Sequence, residues 1–452
     1  MSYLNSDSYV KIGLKEKLGY GFGDFGSNLS FNFISLFLLY YYTDIYGLSA
    51  TEASMIFVVA RVIDAVYNLL IGYVIDRTNT KYGKLRPYLL YGAIPMGILS
   101  AICFIGIDSE YKAMYALVVY TIYSLAYTTI NTPYSAMNNT ITQHEGSRAS
   151  LSVYRMAMAM LAYTFVASVA EPLISTFSDP SQGYTYTALI FSAVSALFIL
   201  VCFFMTKERV VATPNELEEK SIKESIAILK ENTPLHVLSA YTVFVYVFFS
   251  IDMAITYYYF SYVLGDVNLM GSVLTIGAGA SAVGTVISGK LTELLGKKTL
   301  CLYSLFGLAI STGIRYYVPA DDITLQTICI AGSSFFMGIN FVVMWAMVPD
   351  TVEYSELKSK VRAEGVVYGY FNFVTKIAMA IGGGIAGVSL DLFGYDANAV
   401  TQEAINGISM MVTIVPAILS VLAAVCIYFY KIDEKYYREI IQAIEIKKRT
   451  AN

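Results

Sequence analysis

The sequence contains few charged residues and almost no histidine. Of its 452 residues only 14% are Asp, Glu, Lys or Arg, and 56% are hydrophobic. Soluble domains carry about 25% charged residues, so a soluble protein of this length is excluded. The two histidines, His144 and His236, lie near the ends of apolar segments, which argues against a histidine-based metal site or nucleophile. We therefore expect neither an enzyme active site nor a bound cofactor.

Paired cysteines and basic tracts are also missing. Five cysteines occur singly in the chain and form no CxxC motif, so neither a disulfide framework nor a metal cluster is indicated. The net charge is −4 and no basic tract is present, which excludes a nucleic-acid partner. A nucleotide-binding loop motif is absent as well. The N-terminus lacks a cleavable signal peptide, so we expect the first apolar segment to remain as an anchor.

Long apolar runs recur along the whole chain. A helix needs about 20 apolar residues to cross a bilayer, and runs of this length predict an all-α polytopic membrane protein. We predict twelve transmembrane helices at 18–43, 50–75, 88–107, 113–141, 149–175, 185–205, 236–263, 269–289, 299–318, 324–348, 364–393 and 405–430.

The basic residues are distributed very unevenly around these spans. Lys112 alone lies on one side, four bases lie within spans, and all the others lie on the opposite side. Positive charge marks the cytoplasmic side, so both termini are predicted to be cytoplasmic. The predicted organisation is a six-helix bundle at 1–205, a cytoplasmic linker at 206–235, a second six-helix bundle at 236–432 and a cytoplasmic tail at 433–452.

The two halves share motifs at an offset of about 215 residues. "GYVIDRTNTKYGKLRP" begins at Gly72 and "GKLTELLGKK" at Gly289, and both connect the second and third spans of a half. Parallel six-helix repeats are typical of major facilitator transporters, which bind substrate near the bilayer midplane. The charged motif suggests gating roles, which we assign to Asp76, Arg77, Glu293 and Asp350. The alternative is a plain topology and helix-capping signal.

Ionisable residues inside the predicted spans are the candidate functional groups. Arg61 and Asp64 are three residues apart and so share a helix face, to which Tyr67 and Asn68 also belong. This set suits Na⁺ or a proton, and the alternative is a static ion pair. Arg155 and Lys376, one in each half, are candidates to bind substrate oxygens, or else to pair with Asp24 or Asp252. The tyrosine runs at 40–43 and 256–260 are interpreted as an interfacial belt, and the alternative is stacking on sugar rings in the cavity.

Several motifs together resemble the glycoside–pentoside–hexuronide:cation symporters of the major facilitator superfamily, which include melibiose and glucuronide carriers. The resemblance covers nearly the whole chain and rests on "GYGFGDFGSNL", "YYYTDIYGLS", "ARVIDAVYN", "DRTNTKYGKLRP", "NTPYSAM", "TYYYFSYVLGD", "PDTVEYSELK" and "VRAEGVVYGYF".

This resemblance implies roles for individual residues. Asp64 matches the acid of the family's cation site, a possible Na⁺ ligand, and Thr128 matches a hydroxyl beside it. The resemblance places the sugar-binding region at Asp24, Arg155 and Lys376, together with the positions of Asn28 and Asn131. Melibiose carriers have acids at those two asparagine positions, so we expect a more positive pocket that accepts an anionic sugar. A second family acid is replaced by Asn68, which favours proton coupling or facilitation over Na⁺ coupling.

The predicted function is therefore secondary active transport. A sugar, glycoside or hexuronide would enter through the cell membrane with H⁺ or Na⁺ by alternating access, carried by a monomer in the lipid bilayer. Three alternatives remain at this point: an uncoupled sugar facilitator, a membrane sugar sensor that does not transport, and a membrane-embedded enzyme.

Overall fold

A computed structural model of the chain describes residues 10–210, 229–359 and 364–451. In these ranges the regular structure is helical, apart from one isolated bridge between Thr80 and Gly83. The predicted all-α class is confirmed. Two compact units are present: unit 1 is Met1–Leu217 with Leu390–Val400, and unit 2 is Glu218–Ser389 with Thr401–Asn452. Most of the predicted linker, residues 211–228, lies outside the described residues.

Unit 1 contains six long helices. They are α1 (Leu14–Tyr40), α2 (Ala50–Arg77), α3 (Arg86–Ile102), α4 (Lys112–Ile141), α5 (Glu145–Ile174) and α6 (Pro180–Met205). Helix α1 packs on α5 and α6, and α4 packs on α2 and α3. Small residues permit the close approach of α1, because a Cβ at Gly26 would lie 2.7 Å from the Ser195 carbonyl oxygen of α6.

Unit 1 also includes a short segment from late in the sequence, Leu390–Val400. The Asp391 carboxylate accepts the backbone N–H of Thr51 at 2.7 Å, in the first turn of α2. Tyr395 donates a hydrogen bond to the Asp44 carboxylate. These two contacts fix the segment against the N-terminal end of α2, where a carboxylate interacts favourably with the helix dipole.

Unit 2 contains the remaining helices. They are α7 (Thr233–Tyr258), α8 (Leu269–Leu295), α9 (Lys297–Arg315), α10 (Ile323–Ser359), α11 (Glu364–Leu392), α12 (Gln402–Val412), α13 (Ile414–Tyr428) and α14 (Glu434–Ala451). Helix α10 packs on α8 and α9, and α13 packs on α7 and α9. Helix α14 falls in the predicted tail, and its Ile440 and Ile444 are buried in the apolar core of this unit. Because it buries an apolar face, α14 is a structural part of unit 2.

The internal repeat appears in the backbone as well as in the sequence. Helix α1 ends in a π-helical turn, Tyr41–Ile45, and α7 ends in the corresponding turn, Tyr259–Val263. Gly47 and Gly265 follow these turns, and each has φ of +71°. A left-handed conformation is costly for residues with a Cβ, so glycine is required at the same point of both units.

The tyrosines around these two turns are buried within the units. Tyr41 and Tyr42 are each 1% exposed, and Tyr258 and Tyr259 are 0% and 1% exposed. An interfacial belt needs rings at the membrane–water boundary, so that interpretation was wrong for these residues. Their rings instead pack against other rings, as Tyr41 does with Phe104 at a centroid distance of 5.3 Å.

Nine segments of the described residues are long and apolar enough to cross a membrane, by length and composition. One of them, Gln402–Tyr428, combines α12 and α13. Helices α1, α3 and α9 lie at the other three predicted spans. Interior polar residues such as Asp24, Asn28 and Asn32 reduce the hydropathy of α1, and basic residues at both ends reduce that of α9. Helix α3 has only 17 residues. The protein is thus a multi-helical, multi-pass membrane protein.

Candidate substrate and cation site

An ion pair joins two helices inside unit 1. The Arg155 Nε on α5 lies 3.2 Å from the Asp24 Oδ1 on α1. The same guanidinium donates from Nη2 to Ser135 Oγ of α4 at 3.2 Å, and its Cζ lies 5.3 Å from the centroid of the Tyr134 ring. Three helices therefore contact one arginine. A charge is costly in an apolar environment, and these contacts reduce that cost.

The two partners of this ion pair differ in accessibility. The Asp24 side chain is only 6% exposed, whereas the Arg155 side chain is 31% exposed. A guanidinium has five N–H donors in a planar fork, and here two of its three nitrogens donate to Asp24 and Ser135. Arg155 is thus held in place by Asp24 and still presents donor groups to a ligand.

The two predicted asparagines belong to the same region. Asn28 Nδ2 donates to the Asp24 backbone carbonyl at 2.9 Å, one turn along α1. Asn131 is partly buried on α4, four residues before Ser135, so both lie on one helix face. The structure therefore brings Asp24, Asn28 and Arg155 together and places Asn131 on the α4 face that Arg155 contacts.

A second polar cluster joins α2 to α4. Thr128 Oγ1 donates a hydrogen bond to the Asp64 carboxylate, which is buried. One turn further along both helices, Thr132 Oγ1 donates to Asn68 Oδ1 at 3.0 Å. Tyr67 and Thr129 share a hydrogen bond of 2.8 Å between their hydroxyls. The predicted cation-site residues Asp64, Tyr67, Asn68 and Thr128 are therefore all placed at the α2–α4 contact, each bonded to a hydroxyl or carboxylate across it.

Aromatic residues lie close to the charged groups of both clusters. The Phe31 ring of α1 stacks on Tyr127 of α4 with centroids 5.6 Å apart. The Arg61 Cζ of α2 lies 5.9 Å from the centroid of the same Phe31 ring, and Arg61 also interacts with the Tyr120 hydroxyl. Sequence reasoning missed Phe31, Tyr127 and Ser135. The four-residue spacing of Ser135 from Asn131 was the available signal for one of them.

The predicted substrate residue of unit 2 is Lys376 on α11, where it is partly buried. One turn further along, the Met379 carbonyl accepts the Ser250 hydroxyl of α7 at 2.8 Å. A Cβ at Gly382 would lie 2.7 Å from the Ser250 Cβ, which shows how closely α11 approaches α7. Lys376 is therefore positioned on a helix packed against α7, the helix that carries Asp252.

The predicted gating residues are in different environments. The side chain of Asp76 lies outside the described residues. Arg77 is exposed over the Tyr73 ring with its Cζ 3.4 Å from the centroid, and Glu293 is exposed. Asp350 is 3% exposed and accepts hydrogen bonds from Lys297 Nζ at 2.6 and 2.8 Å. Of the three gating residues with described side chains, Asp350 is thus the one with a buried ion-pair contact to a base of the repeated motif.

At the corresponding place in unit 1, the connection between α2 and α3, a carboxylate caps a helix instead of pairing with a base. Glu208, after α6, accepts the backbone N–H groups of Lys84, Leu85 and Arg86 at 3.1, 2.8 and 2.7 Å. It thereby caps the first turn of α3, whose N–H groups have no partner within the helix. In unit 2, Glu434 accepts the N–H of Lys297 at 3.4 Å, at the start of α9. In both units an acid beyond a long helix, α6 in unit 1 and α13 in unit 2, therefore accepts a backbone N–H at the start of another helix, α3 or α9.

Comparison with known proteins decides the family. The model of the MFS/sugar transport protein family matches residues 19–434. The chain belongs to the MFS/sugar transport protein family. The family predicted from the sequence motifs is thereby confirmed, and this family member is a membrane transporter rather than an enzyme.

Relatives of known sequence span almost the whole chain of this family member. It is 36% identical to the uncharacterized symporter YnaJ of Bacillus subtilis (strain 168) over 449 residues, 97% of this chain and 96% of the relative. It is 33% identical over 448 residues to a putative sulfoquinovose importer of Escherichia coli (strain K12), covering 97% and 95%. It is 32% identical over 440 residues to a glucuronide carrier protein homolog of the same organism, covering 96% and 95%.

Solved transporter structures share the fold. The nucleoside transporter NupG superposes with a TM-score of 0.66 at 14% identity, covering 92% of this chain and 100% of that one. At this identity the likeness shows the fold alone. The chain therefore has the fold of major facilitator transporters, and its buried charges must be interpreted in that framework.

Proposed function

We propose that this family member is a cation-coupled symporter that imports a sugar, glycoside or hexuronide by alternating access. The observation that carries the proposal is the pair of buried polar clusters in unit 1, one around Arg155 and Asp24 and one around Asp64 and Thr128. A carrier needs one site for the solute and one for the driving ion, and coupling requires that both favour the same conformational state.

The proposed topology has twelve transmembrane helices with both termini in the cytoplasm. Helices α1, α3 and α9 would cross the cell membrane together with the nine longer or more apolar segments. The bundles at 1–205 and 236–432 would then be the two moving halves, joined by the linker at 206–235 and followed by the tail at 433–452. The distribution of basic residues supports this orientation. We propose that the protein acts as a monomer.

An anionic sugar is the proposed substrate. Arg155 presents accessible donors in unit 1, and Asn28 and Asn131 replace acids that would repel an anion. Arginine binds carboxylate and sulfonate groups well because its fork matches their paired oxygens. Two relatives have names that refer to anionic sugars, sulfoquinovose and glucuronides. A hexuronide or a sulfonated sugar therefore fits best.

The proposed coupling ion is the proton. A Na⁺ site needs several oxygen ligands, and a second carboxylate normally contributes to it. Here the Asn68 oxygen already accepts a hydrogen bond from Thr132, and the Tyr67 hydroxyl is bonded to Thr129. Among the described residues no group of three or more His, Cys, Asp or Glu side chains is clustered as a metal site. A single buried carboxylate, Asp64, needs only a proton to become neutral.

Transport by the purified protein in lipid vesicles tests this proposal. Labelled methyl glucuronide should accumulate above its external concentration under an inward proton gradient, and an inward Na⁺ gradient at constant pH should not drive accumulation. Accumulation driven by Na⁺ alone would contradict proton coupling. Uptake that only equilibrates would identify a facilitator. Binding without uptake would identify a sensor.

A further inference from the structure

One acid inside unit 2 has no place in the sites described above. Asp252 lies on α7, six residues before the end of that helix at Tyr258, and its side chain is partly buried. Within the described part of the chain, no side-chain or backbone donor is within hydrogen-bonding distance of its carboxylate. Thr256 Oγ1 donates a hydrogen bond of 2.6 Å to Asp252, but the acceptor is the backbone carbonyl and not the carboxylate.

The positive charge that acts on this carboxylate is that of Arg315 on α9. The Arg315 Nε donates to Gln326 Oε1 at 3.2 Å, which fixes the guanidinium on the α10 side. Its Cζ also lies 4.2 Å from the centroid of the Tyr259 ring, and Tyr259 donates to the same Gln326 oxygen at 2.8 Å. Arg315 is therefore held at a distance from Asp252. Its positive charge lowers the free-energy cost of an ionised carboxylate in the protein interior, but it forms no hydrogen bond to the carboxylate oxygens.

The neighbourhood of Asp252 combines an acceptor with aromatic rings. Phe249, one turn earlier on α7, lies with its ring centroid 5.7 Å from that of Phe341 on α10. Tyr246, a further turn earlier, lies 5.6 Å from the same Phe341 ring. A sugar presents hydroxyl donors at its edge and C–H groups on its faces, so a carboxylate beside apolar rings matches both.

We propose that Asp252 is a specificity-determining, substrate-binding residue of unit 2, whose carboxylate accepts hydrogen bonds from uncharged sugar hydroxyl groups and would repel an anionic group placed beside it. This inference rests on the proposed function, because it requires that a polyhydroxylated solute be bound. Leaving a membrane-buried carboxylate without a donor is expensive, and the cost falls when a substrate supplies the donors. From the sequence alone, Asp252 is expected only as an ion-pair partner of Arg155 or Lys376.

Substrate binding to the purified protein gives the first part of the test. Affinities of methyl glycosides of glucose, galactose, xylose and glucuronic acid are measured by calorimetry. Each monodeoxy form of the tightest ligand is then measured with the wild type and with Asp252→Asn. In the wild type, removal of the hydroxyl that Asp252 binds should weaken binding at least tenfold. Asp252→Asn should bind the parent sugar at least tenfold more weakly than the wild type does. In this variant, removing the same hydroxyl from the sugar should weaken binding little further, because its partner is already gone.

Control variants separate this role from a structural one. Asp266→Asn removes an exposed carboxylate shortly after α7 and should leave the affinities of all the sugars unchanged. If Asp252→Asn does not fold, Asp252→Glu carries the test, because a carboxylate displaced by one methylene should change which deoxy sugar binds worst. The inference would be overturned if the folded variants ranked the deoxy sugars in the same order of affinity as the wild type. If Asp252→Asn does not fold, the same result in Asp252→Glu alone would overturn it.

Failure of this inference and failure of the proposed function give different results. If the wild type binds and transports none of the four methyl glycosides, and no sulfonated methyl glycoside either, the proposed function fails with it. If the wild type transports one of them and the Asp252 variants discriminate deoxy sugars as the wild type does, only the role of Asp252 is wrong.

Discussion

The buried charges of the two units are satisfied in different ways. In unit 1, Asp24 and Asp64 each accept a hydrogen bond from a side chain on another helix, Arg155 and Thr128. In unit 2, Asp350 of α10 is paired with Lys297 at the start of α9, whereas Asp252 of α7 has no hydrogen-bond donor among the described residues. The polar groups of unit 1 are thus already bonded to one another before a ligand arrives. Unit 2 contains an ion pair at the start of α9 and an acid, Asp252, that is available to a ligand.

This difference has a physical consequence for transport. A side chain that is already bonded changes its partner only at a cost, so the unit 1 clusters hold their geometry before a ligand arrives. An acid without a donor gains most when a ligand supplies one. Under the proposed function, unit 1 would therefore position the ligand, and Asp252 of unit 2 would contribute to its selectivity.

The largest expected effect comes from breaking the unit 1 ion pair. Arg155→Gln leaves the Asp24 carboxylate buried without its cation, and we expect a stability loss of about 3 kcal/mol. Sugar uptake should fall to background. Thermal unfolding in detergent and uptake into vesicles measure the two effects.

The double variant Asp24→Asn with Arg155→Gln shows whether the pair has more than a structural role. Removing both charges should restore most of the stability and leave uptake at background, because the substrate has lost its cationic donor. Recovery of uptake together with stability would show that the pair only joins α1 to α5.

The corners of the two units provide a smaller contrast. Asp350→Asn removes the charge partner of Lys297, and we expect a loss of about 2 kcal/mol because a hydrogen bond between charged groups is lost. Glu208→Gln weakens only a helix cap in unit 1, with an expected loss of about 1 kcal/mol. Chemical unfolding of both variants measures which one loses more unfolding free energy. Equal losses would remove this distinction between the units.

The smallest effect concerns the repeated turns, where the units should behave alike. Gly47→Ala and Gly265→Ala each place a Cβ at φ of +71°, and we expect each to cost about 1 kcal/mol. Gly279→Ala is the matched control, since it lies within α8 and a Cβ there meets nothing within 4 Å. Melting temperatures of the three variants measure the effect. A loss at only one turn would show that the repeat is not equivalent there.

Sequence patterns predicted the helices and the identity of the buried charged residues, because ionisable groups stand out in apolar runs. The pairing of Asp64 with Thr128 followed from the family resemblance. The flanking contacts of Thr129 and Thr132 were not predicted, because they depend on the register between α2 and α4. A register is a property of two packed helices, and one sequence contains no direct measure of it.

Other features were missed for a similar reason. Hydropathy does not distinguish a tyrosine at the membrane surface from one packed against other rings, so the burial of Tyr42 and Tyr258 was not foreseen. The packing of Leu390–Val400 within unit 1 was also unexpected, since its neighbours in sequence belong to unit 2. In α14, by contrast, the four-residue spacing of Ile440 and Ile444 was a readable signal of an amphipathic helix.

Substrate exchange and gradient-driven accumulation in vesicles, compared between the wild type and Asp64→Asn, test the central claim most directly. If Asp64 couples the proton to the sugar, the variant should exchange internal for external sugar at a rate near that of the wild type. It should not accumulate sugar under an inward proton gradient. Accumulation by the variant to the wild-type level would contradict the account, because the driving ion would then act without the buried carboxylate at the contact of α2 and α4.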